Sequence, residues 1–436
     1  MKLNVTKKSE PIFTAEGGKA SHISKIQELE RTVMSCMLWE NNFYENGILI
    51  SERIKSLIND CKDEEVIKLI KKVKFDMRLR HCPLWMIACL INKGTKGLSD
   101  LISSVLTRPD DMGELLALYK KANDDKDVPL TNQLKKGIAK AFTTFDEYQL
   151  GKYNRDSVYK LVDIANLCHP ETTTAIDKLI KGTLETPMTW EVGLSKAGQD
   201  KTSKADVWNN LIAENKLPDM AFLKNIRGMI NSGVDEDLVK ERVKQINQKK
   251  LLPMDFIRAG MNNPTIENEI EEKLLNFYDT PCLKGKTAIL VDVSGSMFYD
   301  DVRGNISRFQ YASALAMIGR ECCENVDLYT FSEKTVQVPN RRGFALMAAL
   351  NNSQSHSGTR MWSAIKNVQE KKDYDRIIVI TDEQTYYDDT PCNVTAPKAY
   401  ILNVAPYKNG VGYEKNITHI NGTSDKIFNY IECYEE

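Results

Sequence analysis

Two apolar runs in the last third of the chain constrain its fold more than any other feature. Thr287-Ala-Ile-Leu-Val291 and Arg376-Ile-Ile-Val-Ile-Thr381 have strand length and no polar alternation. A strand that is apolar on both faces must be covered on both, as the central strands of a parallel sheet are. Residues 326–331 and 399–404 read as further strands. Helical spacing fills 309–322 and 361–368, and a last helix is expected over roughly 425–433. Strands alternating with helices predict a mostly parallel, doubly wound α/β sheet over residues 281–436. Ligands of such sheets sit at the carboxyl ends of strands, near the point where strand order reverses.

The pattern before residue 280 is different. From about 20 to 277 apolar residues recur at three- and four-residue spacing. Ile23, Ile26, Leu29, Val33 and Met37 form one stripe; Val66, Leu69, Ile70 and Val73 form another. Leu134, Ile138, Ala141, Phe142 and Phe145 form a third, and residues 211–230 carry a fourth. Asn92-Lys93-Gly94, Arg108-Pro109-Asp110 and His169-Pro170 interrupt the helices at short intervals. Many short helices with brief connections suggest an α-solenoid of HEAT or armadillo type, with a compact bundle as the competing architecture. Domains are therefore expected at 1–280 and 281–436.

Composition bounds the function. Hydrophobic residues make up 42% and charged residues 27% of 436, enough for a sizeable core. With a net charge of -1, nucleic-acid binding would need charge gathered on one face. MKLNVTKKSE has no apolar signal region, and no apolar run is long enough to span a membrane. The ten cysteines form no CxxC pair, so reduced buried thiols in a cytoplasmic protein are expected; a monomer is expected as well.

The chemistry is concentrated where the first apolar strand ends. Asp292-Val293-Ser294-Gly295-Ser296 is a DxSxS motif at a strand's carboxyl end. One carboxylate and two hydroxyls are short, hard oxygen donors, suited to a hard cation. Ser357-Gly358-Thr359 stands before a helix and offers Thr359; Thr381-Asp382 ends the most apolar strand and offers Asp382. These residues resemble the metal-ion-dependent adhesion site of von Willebrand factor A-type (vWA) domains. The resemblance implies a divalent ion, most simply Mg²⁺, held by Asp292, Ser294, Ser296, Thr359 and Asp382. One coordination position would stay open for a partner's acidic group. His356 lies nearby in sequence and reads as a solvated loop residue.

Other motifs fail. Gly285-Lys286-Thr287 mimics the end of a phosphate-binding loop, but Thr280 stands where its first glycine belongs. Gly17-Gly18-Lys19-Ala20 fails because position 13 is Phe13 and the last residue is Ala20. There is no HExxH, and the five histidines show no metal spacing. No enzymatic activity is expected.

Charge in the helical part is uneven. Residues 68–108 carry nine basic side chains against Asp76 and Asp100. Lys135, Lys136 and Lys140 follow, the last two one helical turn apart, and then Lys152 and Arg155. Phosphate oxygens suit such a surface. Solvated faces of ordinary amphipathic helices look alike, and Phe142, Phe145 and Tyr153 are assigned to the core.

Resemblance sharpens this. Phe13-Thr14-Ala15-Glu16-Gly17-Gly18-Lys19-Ala20, Leu38-Trp39-Glu40 and Phe43-Tyr44-Glu45-Asn46-Gly47 look like the start of the TROVE module. Residues 78–85, 133–142 and 216–227 look like its central and later helices. TROVE followed by vWA is the architecture of the Ro autoantigen family, including bacterial and phage relatives. The resemblance implies a ring of HEAT-like repeats closed by the vWA domain. A basic outer surface would bind small non-coding Y-like RNA, and a central hole would take single-stranded ends of misfolded RNA. The protein would act as a chaperone or a tether to an exoribonuclease. Lys135, Lys136 and Lys140 are the first expected RNA contacts, then Arg78, Arg80 and His81; Trp39 and Trp85 are expected in the core. The competing reading is a metal-dependent vWA interaction scaffold without physiological RNA, favoured if acidic side chains interrupt the basic stripe.

Overall fold

The computed structural model describes residues 10–34, 38, 42–200, 202–248, 251–276, 282–299, 307–414, 416–422, 424 and 427–435. Met37 of the first stripe and Trp39 lie outside them. The chain forms two compact units: residues up to 50, 248–258 and from 270 onward make one, and 51–247 with 259–269 the other. The first fifty residues thus belong with the sheet, not with the helices that follow them in sequence.

The sheet has six strands: β1 (Leu283–Asp292), β2 (Cys323–Phe331), β3 (Thr335–Val338), β4 (Arg376–Thr381), β5 (Lys398–Asn403) and β6 (Thr418–Asn421). Their order is β3-β2-β1-β4-β5-β6. All neighbours are parallel except β2 and β3. Order reverses between β1 and β4, where Ala288 pairs Ile377 and Leu290 pairs Val379. β4 is buried at every position, as its composition requires.

Alternation along β1 shows why both faces are covered. Ala288 and Leu290 join Met361, Trp362 and Ile365 of the helix Met361–Gln369 in one core. Ile289 points the other way, toward Gly319 of the helix Arg308–Cys322, which also meets Phe428 of the last helix, Ile427–Glu435. Layers of helix on both faces make the unit doubly wound. Three elements have too weak a pattern to read from sequence: β3, β6 and the helix Gly343–Asn351.

The second unit is helical. His81–Lys93 packs on Pro109–Ala122, Ser99–Val105 on Asn132–Phe142, and Asn132–Phe142 on Leu161–Cys168. In each of these pairs a helix packs on one two places further along, a pattern of stacked helix pairs rather than of a single closed bundle. The expected stripes are inside: Val66, Ile70, Val73, Leu134, Ile138 and Phe142 are wholly buried. Trp85 is buried too and donates its ring N–H to the carbonyl of Ser51 at 3.2 Å. Gly94 (φ 93°) and His169 (φ 51°) end helices in the left-handed conformation, at two of the expected interruptions. Thr131, Asp146 and Thr173 cap helix starts by accepting backbone N–H groups. Among the described residues no helix is long and apolar enough to cross a membrane.

Candidate metal centre and basic helical surface

Three loops meet at the carboxyl ends of β1 and β4, and backbone hydrogen bonds fasten them. Val293 N donates to Phe331 O at 2.9 Å, and Gly295 N to Ser357 O at 3.0 Å. Tyr386 N donates to Thr359 O, also at 3.0 Å. The Ser332 hydroxyl donates to Gly358 O at 2.9 Å. The five expected ligands are thereby brought to one end of the sheet, all buried. Ser294 N donates to Asp292 Oδ1 at 2.9 Å and the Thr381 hydroxyl to Asp292 Oδ2 at 2.5 Å. Ser296 Oγ donates to Asp382 Oδ2 at 2.6 Å and lies 3.4 Å from Ser294 Oγ. Gln384 N donates to Asp382 Oδ1 at 3.2 Å.

The electrostatics of this pair suit a cation. Burial and the neighbouring Asp382 charge push the Asp292 carboxyl well above its usual range. Burial does the same to Asp382, more than the Ser296 hydrogen bond opposes it. Neither carboxylate has a salt-bridge partner among the described residues. Two such carboxylates repel until a positive charge lies between them. Among the described residues no group of three or more His, Cys, Asp or Glu is placed to hold a metal. The donor set here is of another kind, two carboxylates and three hydroxyls. It fits a small oxygen-seeking divalent ion, which would screen the two charges and polarise whatever filled its remaining position. His356 takes no part: its Nδ1 lies 3.0 Å from Val293 O and its ring packs on Phe298.

Behind Asp382 lies a network that the sequence did not reveal. Glu383, at φ 62°, is wholly buried. Its carboxylate pairs with Arg31 on one oxygen and His419 on the other. Burial alone would raise the Glu383 carboxyl; the Arg31 and His419 charges outweigh it and hold the group below its usual range. Arg31 is fully buried and also donates to Tyr407 O at 2.6 Å. Residues 31, 383 and 419 are far apart in sequence and match no motif. Only the left-handed backbone at Glu383, uncommon for glutamate, marks the position as held from outside.

The helical unit brings its basic residues together with acids. Arg80 donates to Asp111 and Asp110 at 2.8 Å each and lies 3.3 Å from Glu114. His81 pairs with Glu114, and Arg108 with Asp110. Lys93 is held by Asp63 at 2.8 Å, and Lys140 by Asp100 at 2.8 Å on the surface. The stripe counted along the sequence is thus interrupted by Asp110, Asp111 and Glu114, which lie just beyond the counted segment. Lys136 and Arg78 are exposed, and Lys135 is half-buried.

A cavity of about 660 Å³ opens beside this cluster. Tyr153, expected in the core, is instead half-buried and lines it with Trp190, Lys152, Arg155 and Lys224; the acids Asp110, Glu114 and Glu191 line it too. Arg108 stacks over the Tyr153 ring at 5.0 Å. Lys152 reaches Glu191 at 3.4 Å. Arg155 and Lys224 are exposed and in no ion pair among the described residues.

The strand order, the helices on both faces and the oxygen donors at the switch point define a vWA-type domain joined to a helical-repeat unit. Comparison with known proteins agrees on both parts. The TROVE domain matches residues 178–317 and the Ro60 vWA domain matches 286–400, overlapping at the start of the sheet. The chain belongs to the Ro family. Its structure is similar to the crystal structure of the Deinococcus radiodurans Ro (RSR) protein, with a TM-score of 0.62 over 95% of this chain and 100% of that one, at 16% identity. That likeness shows a shared fold. Among curated proteins it is similar to telomerase protein component 1 of Rattus norvegicus, 28% identical over 131 residues, which are 29% of this chain. The Mus musculus protein of the same name is 32% identical over 100 residues, 22% of this chain. Those matches span only 5% and 4% of the two relatives.

Proposed function

We propose that this protein binds RNA through its helical unit and a divalent cation, most simply Mg²⁺, through Asp292, Ser294, Ser296, Thr359 and Asp382. Membership of the Ro family supports the first part. The observation that carries it is the cavity flanked by Tyr153, Trp190, Arg155 and Lys224. Its volume lies in the range of small-ligand sites. Two aromatic faces suit an unpaired base, and cations without acidic partners suit its phosphates. Arg80 and Lys140, already paired with carboxylates, are weaker candidates than Lys135, Lys136 and Arg78. The finer reading is a scaffold, not an enzyme. It would hold a small structured RNA on the outer helices and a single-stranded end of misfolded RNA, delivering that end to an exoribonuclease.

The test is binding of a short RNA duplex with a single-stranded 3′ tail, across a salt series, against the same duplex without the tail. Tail-dependent affinity should fall steeply with salt. Each lost phosphate contact reduces the slope by about 0.7–0.9. Arg155→Glu with Lys224→Glu should weaken tail binding tenfold or more, and Lys135→Glu with Lys136→Glu should weaken the duplex contribution. Equal affinity for tailed and blunt RNA in all variants would remove the cavity from the reading.

One observation favours a second reading. The acids that interrupt the basic stripe leave less uncompensated charge than the sequence suggested. Absence of RNA binding at low salt would make the protein a metal-dependent scaffold for an acidic protein partner.

A further inference from the structure

The segment 13–20 carries a Gly-Gly pair that belongs to no phosphate loop, and the structure gives it another use. It lies against the loop that follows β4. The Thr14 hydroxyl donates to Thr385 O at 2.8 Å, and Gly18 N donates to the same carbonyl at 3.1 Å. Ala15 N donates to Gln384 Oε1 at 2.8 Å, while Gln384 N is the group that donates to Asp382. Gly17 and Tyr386 form a β-bridge. A side chain at Gly18 would place its Cβ 2.4 Å from Thr385 O, so the backbones can approach only because this residue is glycine.

Docking of this segment sets Glu16 beside the metal site. The Tyr44 hydroxyl donates to Glu16 Oε1. Burial pushes the Tyr44 phenol up, and Asp382 and Ser296 stand near enough to act on it as well. Tyr44 is held in place edge-on by Phe43 at 4.8 Å and Tyr407 at 5.2 Å. Glu16 is therefore one hydrogen bond from a tyrosine that neighbours two candidate ligands, Ser296 and Asp382. Glu16, Tyr44 and Ser296 all belong to the same compact unit.

We propose that Glu16, gated by Tyr44, is an internal acidic ligand for the open coordination position of the metal held by Asp292, Ser294, Ser296, Thr359 and Asp382. The inference rests on the metal-binding reading above. It assigns the N-terminal segment a regulatory role: an external carboxylate must displace Glu16 before it can engage the metal.

Mn²⁺ titration of the full chain, followed by calorimetry and by the electron paramagnetic resonance of the ion, tests this with acetate as the external carboxylate. Glu16→Gln should weaken Mn²⁺ about 10–100-fold, the size of effect typical of groups that support a metal's ligands. Acetate should restore much of that affinity in Glu16→Gln and change little in the wild type. Tyr44→Phe keeps Glu16 but removes the gate, and should make Mn²⁺-bound protein bind acetate where the wild type does not. Unchanged affinity in Glu16→Gln overturns the proposal. So does weakened affinity that acetate fails to restore, which would mean a purely structural role. Asp292→Ala separates the two levels of argument. If it binds Mn²⁺ like the wild type, or the wild type binds none, the metal reading falls and the inference with it. If only Asp292→Ala loses the ion, the metal site stands and Glu16 has no part in it.

Discussion

The two units solve opposite problems with charge. In the sheet unit, the charges around the candidate site are deeply buried and mutually dependent: Asp292 beside Asp382, and Glu383 between Arg31 and His419. In the helical unit, most ion pairs lie at or near the surface and form locally, as Lys140 with Asp100 or Lys160 with Asp156, although Asp111, paired with Arg80, is buried. Buried charges cost desolvation energy, so they persist only where geometry compensates each one. Surface pairs are worth little individually, and their positions can drift without loss of the fold. A metal site should therefore be sharp and breakable at single residues, and an RNA surface diffuse and breakable only in combination.

The largest expected effect tests the sharp half. Arg31→Ala would leave the buried Glu383 carboxylate with His419 alone, and breaking such a buried pair costs about 3–5 kcal/mol. Denaturant titration should show that loss, with Arg31→Lys recovering only part of it because one ammonium replaces contacts to Glu383, Tyr407 O and Asn409 O. A loss below 1 kcal/mol would mean that water reaches Glu383. Next in size is the metal. At a concentration a hundred times Kd, Mg²⁺ should add about 2.7 kcal/mol of stability to the wild type. Asp292→Asn should abolish that gain. Without metal the same variant should be more stable than the wild type, because one of two repelling carboxylates is gone. A metal-free variant less stable than the wild type would show that the Thr381 and Ser294 hydrogen bonds outweigh the repulsion.

Legibility in the sequence followed the same division. β1 and β4 were visible because full burial leaves an uninterrupted apolar run. The candidate metal donors were visible because Asp292, Ser294, Ser296 and Asp382 sit where a strand ends and Thr359 just before a helix, so sequence position stood in for spatial position. β3 and β6 have four residues each and partial burial, too short for any period. Arg31, Glu383 and His419 stayed hidden because their relation exists only across the fold. Glu16 was read as part of a helical-module signature, and its docking beside Ser296 depends on pairing with a loop some 370 residues away. The basic stripe misled for a complementary reason. Counting along residues 68–108 stopped just short of Asp110, Asp111 and Glu114, the acids that pair with Arg80 and Arg108.

The helical unit can be probed for sharpness of its own, in packing. Gly137 sits where a Cβ would fall 2.6 Å from the Ile102 side chain and 2.9 Å from Ser99 O. Gly137→Ala gains about 1 kcal/mol of helix propensity. The overlap costs about 1–3 kcal/mol, so a net loss is expected. Net stabilisation in thermal unfolding would show that the two helices can slide apart, and that this unit is soft in packing as well as in charge.

The smallest effect separates the units by pH. Burial would raise the Glu435 carboxyl, but hydrogen bonds from Arg376, Lys398 and Tyr400 prevail and bring it down to about 2. A carboxyl lowered on folding adds stability above its unfolded pKa, near 4.5, and that stability drains away as pH falls toward 2. Glu435→Gln should therefore cost about 1 kcal/mol at neutral pH and nothing at the acid end. Asp100 and Asp156 are also lowered by their lysines, yet both are fully exposed, so added salt should erase their share. Glu435 and Arg376 are largely buried, and theirs should survive. Acid unfolding at low and high salt thus separates the buried share of the pH dependence from the exposed share. A Glu435→Gln profile that collapses onto the wild type in high salt would place this ion pair with the diffuse surface charges, and the contrast between the units would then rest on Asp292, Asp382 and Glu383 alone.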